Sequence, residues 1–121
     1  MKTIDLAGDA LDWAVGVAEG EQLTVRDRFP CVLNAGGRWN PSSNWSQGGP
    51  IIDRIGGLVQ KTWLESNKKT RCEAHIINYE GGWVAFGPTP LVAAMRCYCC
   101  ATLGDEIEIP EELQPCPQPK T

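Results

Sequence analysis

Trp83-Val84-Ala85-Phe86-Gly87-Pro88-Thr89-Pro90-Leu91-Val92-Ala93-Ala94-Met95-Arg96-Cys97-Tyr98 is the stretch whose reading decides the fold. Trp83 to Phe86 is aromatic, β-branched or small, and reads as a strand. Gly87 and Pro88 interrupt it. Thr89 is an N-cap residue, and Pro90 stands at the first helical position, where its missing N–H would have no intrahelical partner anyway. Leu91, Met95, Tyr98 and Cys99 then recur along one face, and Gly104 is a C-terminal stop. The spacing predicts a helix over 90–103 that follows directly on a strand.

Working upstream, Leu58 to Leu64 alternates as a strand. Ser66-Asn67-Lys68-Lys69 is a polar turn, and Arg71 to Tyr79 is a second strand with Cys72, Ala74 and Ile76 on one face. Glu80-Gly81-Gly82 is a tight turn before the third strand, so an antiparallel meander is expected. Gly49 to Ile55 reads as a short helix with Pro50 in its first turn, ended by Gly56-Gly57. At the N-terminus, Leu6, Ala10, Trp13, Ala14 and Val17 keep helical spacing, with Thr3 or Asp5 to cap the helix, Gly20 to end it and Trp13 as a core anchor. Leu23-Thr24-Val25 is a short strand candidate, and the rest of Glu21 to Ser46 reads as a long turn-rich connection. Asp105 to Ile109 is extended, with no internal repeat anywhere. The expected architecture is α+β: an α/β sandwich with helices packed on a three- to four-stranded antiparallel sheet. It forms one domain over 1–113, followed by a flexible Pro-rich tail over 114–121.

The chain has 121 residues, enough for one core without staples. Its net charge is -4, which argues against nonspecific nucleic-acid binding. Asp105, Glu106, Glu108, Glu111 and Glu112 form a solubilising acidic end. Lys61, Lys68, Lys69 and Arg71 read as a solvated hairpin, or more sharply as a contact for a phosphate or an acidic partner. Asp5, Asp9 and Asp12 interrupt any signal-peptide core, and no apolar run is long enough to span a membrane, so a cytoplasmic protein is expected. The 6 cysteines are then expected as free thiols.

No cofactor, metal or catalytic residue is expected. Cys97 and Cys100 are three apart on a helix, but Cys31, Cys72 and His75 would complete a zinc site only through an accident of folding. His75 is the single histidine and lies on a strand, so no cysteine has an evident base. Phosphate-binding loops and nucleophile elbows are missing from the sequence. The best site candidate is the loop around Trp45-Ser46-Gln47-Gly48-Gly49-Pro50. Gly48 and Gly49 let backbone N–H groups approach a ligand. Trp39 and Trp45 can stack on a ring. Asn40, Ser43, Asn44 and Gln47 can read hydrogen-bonding edges, and Arg96 can pair with an anion. The competing reading is a loop pinned by buried Trp, with glycines that merely allow a turn.

Two blocks carry more than generic structure. One is Pro41-Ser42-Ser43-Asn44-Trp45-Ser46-Gln47-Gly48-Gly49-Pro50-Ile51-Ile52. The other is the opening stretch, with Leu103-Gly104-Asp105-Glu106-Ile107-Glu108-Ile109-Pro110 after it. In order and spacing they resemble the NinX-like family of small phage proteins, related in pattern to phage ABA-sandwich domains. The resemblance covers residues 40–113. The insert 60–77 and the tail depart from it. It implies an accessory protein of a temperate phage, without implying an activity. The expected role is non-enzymatic binding of a host defence or replication protein, in counter-defence or host takeover. The alternative is a sponge for a nucleotide-derived immune signal, with a homo-oligomer as a further expectation.

Overall fold

The structure, a computed structural model, describes residues 1–26, 31–64, 69–78 and 81–114. Its framework is the meander expected from the sequence. Strands β4 (Leu58–Leu64), β5 (Lys69–Asn78) and β6 (Gly81–Gly87) form an antiparallel sheet in that order. Helix α3 (Pro90–Leu103) then lies against β5 and β6. Thr89 caps it as read: its hydroxyl accepts the Val92 N–H at 3.2 Å.

Burial on α3 goes almost all the way round, because it is the central element. Met95, Cys97 and Cys99 are fully buried, and Leu91, Ala93, Ala94, Tyr98 and Cys100 nearly so. A helix apolar on most sides belongs in the interior. It touches the sheet, the N-terminal turn (Thr3–Asp5), helix α1 (Gly8–Glu19) and helix α2 (Trp45–Ile55). The sheet meets it with small residues: Cys72 and Ala74 from β5, Ala85 and Gly87 from β6. The opposite face of the sheet has no cover among the described residues. Leu58, Ile77, Val84 and Phe86 lie exposed there, and Glu73 and His75 share that face half-buried.

A cluster of polar side chains joins the three helices at one end. Tyr98 Oη donates to Glu19 Oε2 at 2.6 Å, and Arg54 pairs with the same carboxylate. The Arg54 hydrogen bonds hold Glu19 below the usual carboxylate range, while burial pushes Tyr98 up to about 12.

Three local expectations are corrected. Beyond the expected strand at Leu23-Thr24-Val25, the stretch read as a long connection holds β2 (Val32–Asn34) and β3 (Gly37–Arg38), which form a second antiparallel sheet with that strand, β1 (Thr24–Val25). Strands β2 and β3 are too short to show alternation, and the β2–β3 turn is closed by Asn34 Oδ1 accepting the Gly36 N–H at 2.9 Å. Helix α2 begins at Trp45, ahead of Gly49, because the Asn44 side chain caps it at the Ser46 N–H. Pro50 therefore sits in the middle of the helix, where it removes a single hydrogen bond. Helix α1 begins at Gly8 without a side-chain cap. Thr3 is instead buried: its hydroxyl donates to Gly104 O at 2.8 Å and lies 3.1 Å from Cys100 Sγ. There it satisfies a backbone carbonyl just past the end of α3.

The extended segment after α3 pairs with the N-terminus through Lys2 and Glu106. Gly81 and Gly82 belong to β6, and Trp13 packs at the margin of the core. Lys61 is exposed, and Arg71 lies over the Phe86 ring at 3.8 Å. Phe29-Pro30, Ser66 to Lys68, Tyr79-Glu80 and the tail with Cys116 lie outside the described residues.

The small-residue seam is testable. A Cβ on Gly87 would stand 2.8 Å from Ala93 N and 2.9 Å from Val92 Cγ1, whereas one on Gly82 would meet nothing closer than 3.7 Å. Gly87→Ala should destabilise the protein by about 2 kcal/mol in urea unfolding, and Gly82→Ala by well under about 1 kcal/mol. Equal midpoints for the two variants would show that α3 does not depend on this approach.

Candidate functional site

The loop Arg38–Asn44 and the first turn of α2 are built by their own polar residues. Trp39 is only 7% exposed, and its indole N–H donates to Asp12 O at 2.9 Å. Asn40 N–H donates to Gln47 Oε1 at 2.7 Å, and Gln47 Nε2 donates back to Arg38 O at 2.8 Å. Asn40 Nδ2 reaches Ser43 Oγ at 3.2 Å. A Cβ on Gly48 would come within 2.5 Å of Pro41 O and 2.7 Å of Leu91 Cδ2, so this glycine lets α2 seat on the loop and on α3. Trp39, Asn40, Asn44, Gln47 and Gly48 are thus engaged in shaping the loop. Gly49 is part of α2, where an added Cβ would meet Trp45 Cε3 at 3.7 Å, an ordinary contact. Arg96 lies apart from the loop. Its Nε donates to Leu6 O at 2.6 Å and its NH1 to Phe86 O at 2.8 Å, so it ties the N-terminal segment to β6.

Two of the residues read as candidates remain available, and they border one cleft. Trp45 is 57% exposed, and Ser43 is exposed beside it. The cleft measures about 510 Å³, the size range of small-molecule sites. Its other walls are Gly8, Asp9 and Asp12 from the start of α1, Arg38 and Ser42 from the loop, and Thr89 to Val92 from the start of α3. Two helix N-termini therefore border it, and α1 carries no side-chain cap. Their partial positive charge adds to that of the exposed Arg38.

Asp12 is the unexpected member. It is 3% exposed, and its Oδ1 accepts the Ser42 N–H at 2.8 Å. Burial pushes its carboxyl up to about 6, with hydrogen bonds from Ser42 opposing the shift. Asp9 adds to the rise, and Arg38 opposes it. The cleft thus combines a flat apolar ring, a recessed carboxyl group and a positive rim. That arrangement suits a planar ligand bearing both N–H donors and an anionic group. Asp12 and Arg38 had no motif to mark them. One lay among the ordinary acids of an amphipathic helix, and the other beside a Trp that drew attention first.

Neither a cysteine nor the histidine borders the cleft. Cys97 Sγ donates to Trp83 O at 3.3 Å, and burial pushes this thiol up to about 11 and Cys99 higher still. His75 Nε2 lies 3.3 Å from Glu73 Oε2 on the uncovered sheet face. Among the described residues, five cysteines are free and no group of three or more His, Cys, Asp or Glu is placed to hold a metal ion.

The comparisons bear on the fold and the family. A crystal structure of a phage protein from Bacillus cereus ATCC 14579 is similar in fold, with a TM-score of 0.50 and 17% identity over 89% of this chain and 93% of that chain. No curated protein matches. The family model described as Bacteriophage P22, NinX matches residues 2–101. That span takes in every wall of the cleft and the insert 60–77. With most of its length inside that match, the chain belongs to the bacteriophage P22 NinX family.

Proposed function

We propose that this phage accessory protein acts by non-enzymatic binding, and that the cleft sequesters a nucleotide-derived signalling molecule in the host cytoplasm as a means of counter-defence. The carrying observation is Trp45, an indole left 57% exposed on a concave polar site while its loop neighbour Trp39 is buried. An exposed Trp ring at a cleft is a stacking surface for a base. Arg38 and the two helix N-termini provide for a phosphate. Asp12 supports the same reading: at neutral pH it is ionised against the effect of its own burial, and fold stability alone does not favour that. Binding rather than turnover is favoured by the chemistry around it. Burial pushes the Cys97 and Cys99 thiols up, and the single histidine is on the far side of the sheet from α3.

A second reading, capture of a host defence or replication protein, is favoured by a different observation. The uncovered sheet face exposes Leu58 at 64% and Ile77 at 83%, with Val84 and Phe86 nearby. Apolar side chains grouped on one open face suit a protein partner. Among the described residues, no helix is long and apolar enough to cross a membrane.

Native mass spectrometry after incubation with the small-molecule fraction of a defence-activated lysate tests the choice. The expected result is an added mass of nucleotide size, lost in Trp45→Ala and kept in Ile77→Ser. An unchanged mass, with a host protein captured by the parent but not by Ile77→Ser, would favour the second reading.

The Asp12 carboxyl also makes a stability prediction. Its value rises from 3.8 unfolded to about 6 folded, so the native state holds this proton more tightly. The group therefore favours folding below the unfolded value, and that contribution is lost as pH rises through about 6. The loss by neutral pH is about 3 kcal/mol. Asp12→Asn, whose amide oxygen can keep the Ser42 hydrogen bond, should be more stable than the parent at about pH 7.5 by about 1–3 kcal/mol. The difference should shrink toward zero near pH ~4. A variant less stable than the parent at both pH values would show that burial of the ionised form is not opposed.

A further inference from the structure

We infer that the cleft reads a guanine-type edge, with the Asp12 carboxylate accepting the two adjacent N–H donors of a base that stacks on Trp45. This rests on the ligand-binding reading above and names the class of base it takes.

The geometry separates a floor from a lip. Asp12 borders the cleft at 3% exposure and Trp45 borders it at 57%. A base laid on the Trp45 ring turns its edge inward, toward the recessed carboxyl group. Asp12 gives one lone pair of Oδ1 to Ser42 N–H, at 2.8 Å. Ser42 also donates through its side chain, so of a carboxylate's about four acceptor sites two remain to be filled. The indole N–H of Trp39 goes to the Asp12 backbone carbonyl and leaves those positions alone.

An ionised carboxylate only accepts. That excludes most base edges by lone-pair repulsion. Adenine and cytosine set a ring-nitrogen acceptor beside their amino group. Uracil sets one N–H between two carbonyl oxygens. Guanine alone sets a ring N–H beside an amino group, so both positions donate. A buried acceptor that meets such an edge gains two charge-assisted hydrogen bonds, and one that meets the wrong edge is left desolvated and unpaired.

The charge around Asp12 fits this assignment. Asp9 faces it from α1, Arg38 from β3 and the Cys99 thiol from α3. Arg38 is on the cleft wall, where it can meet the ligand's phosphate while Asp12 meets the base. Arg38 thus supplies attraction for any nucleotide, and Asp12 supplies the choice among them.

The test is a titration of Trp45 fluorescence with GMP, AMP, IMP and XMP on the full chain. The parent should bind GMP at least about tenfold more tightly than AMP or XMP, with IMP between them. GMP binding should weaken as pH falls below about 6, where Asp12 takes up its proton. Asp12→Asn replaces one acceptor by an N–H donor and should move the preference from GMP to XMP, which carries a carbonyl where guanine has its amino group. Such a gain of binding cannot come from a misfolded variant. Arg38→Ala should weaken all four nucleotides alike. Equal binding of the four by the parent, unmoved by Asp12→Asn, would overturn the guanine assignment and leave the ligand-binding reading standing. No binding of any nucleotide would overturn both.

Discussion

Close approach of α3 to the sheet is the constraint from which the rest of the structure follows. Gly87 lies under the Val92–Ala93 backbone with no room for a methyl group. Cys72, Ala74 and Ala85 continue the same low surface along β5 and β6, facing Ala93, Ala94 and Cys97. A helix drawn in this far buries nearly its whole circumference once other elements close around it. The N-terminal turn, α1 and α2 close on it here. The small thiols of α3 that suggest chemistry in the sequence are in this setting filling atoms: Cys97, Cys99 and Cys100 are buried, and burial pushes the Cys97 and Cys99 thiols up.

The same approach fixes the cleft. The link from β6 to α3 is short, so seating Gly87 also sets where Thr89 and Pro90 lie, and these form one wall. Gly48 repeats the device from the other side, pressing α2 against Pro41 and Leu91. Arg96 closes the arrangement by donating to Leu6 O and Phe86 O, which holds the chain just before α1 beside the edge of β6. The start of α1, with Asp9 and Asp12, is thereby brought opposite the start of α3. A concave site at converging helix starts is thus a by-product of packing and needs no strained backbone.

What could be read in the sequence depended on whether the signal was local. Helix α3 has its cap, its first-turn proline and its stop within one stretch, and its limits match the reading to the residue. The three strands of the meander were legible for the same reason: alternation extends over enough residues to show. Of the second sheet only β1 was, because the two- and three-residue strands β2 and β3 are made by a turn and by pairing. The start of α2 was hidden by Pro50, a strong local signal overridden by the Asn44 cap. In the site, Trp45 and Ser43 were legible as motif residues. Arg96 carried the right charge in the wrong place, and only tertiary structure puts Arg38 and Asp12 where a ligand would meet them.

Trp39 and Trp45 take opposite places in the fold. They share one loop and one residue type, yet one is sealed in the core with its N–H satisfied, and the other stands open on the cleft. Hydrophobicity does not separate them, because burying either ring would stabilise the fold by a comparable amount. The difference lies in what each ring faces. Trp39 closes over α1 at Asp12 O and fixes the position of the helix that carries the recessed carboxyl group. Trp45 rides on the first turn of α2, on the solvent side of the same cleft. Burial of the first ring is what gives the second a rigid wall to face, and an apolar ring held rigidly in water beside a charged floor has its most favourable partner in a flat polar ligand.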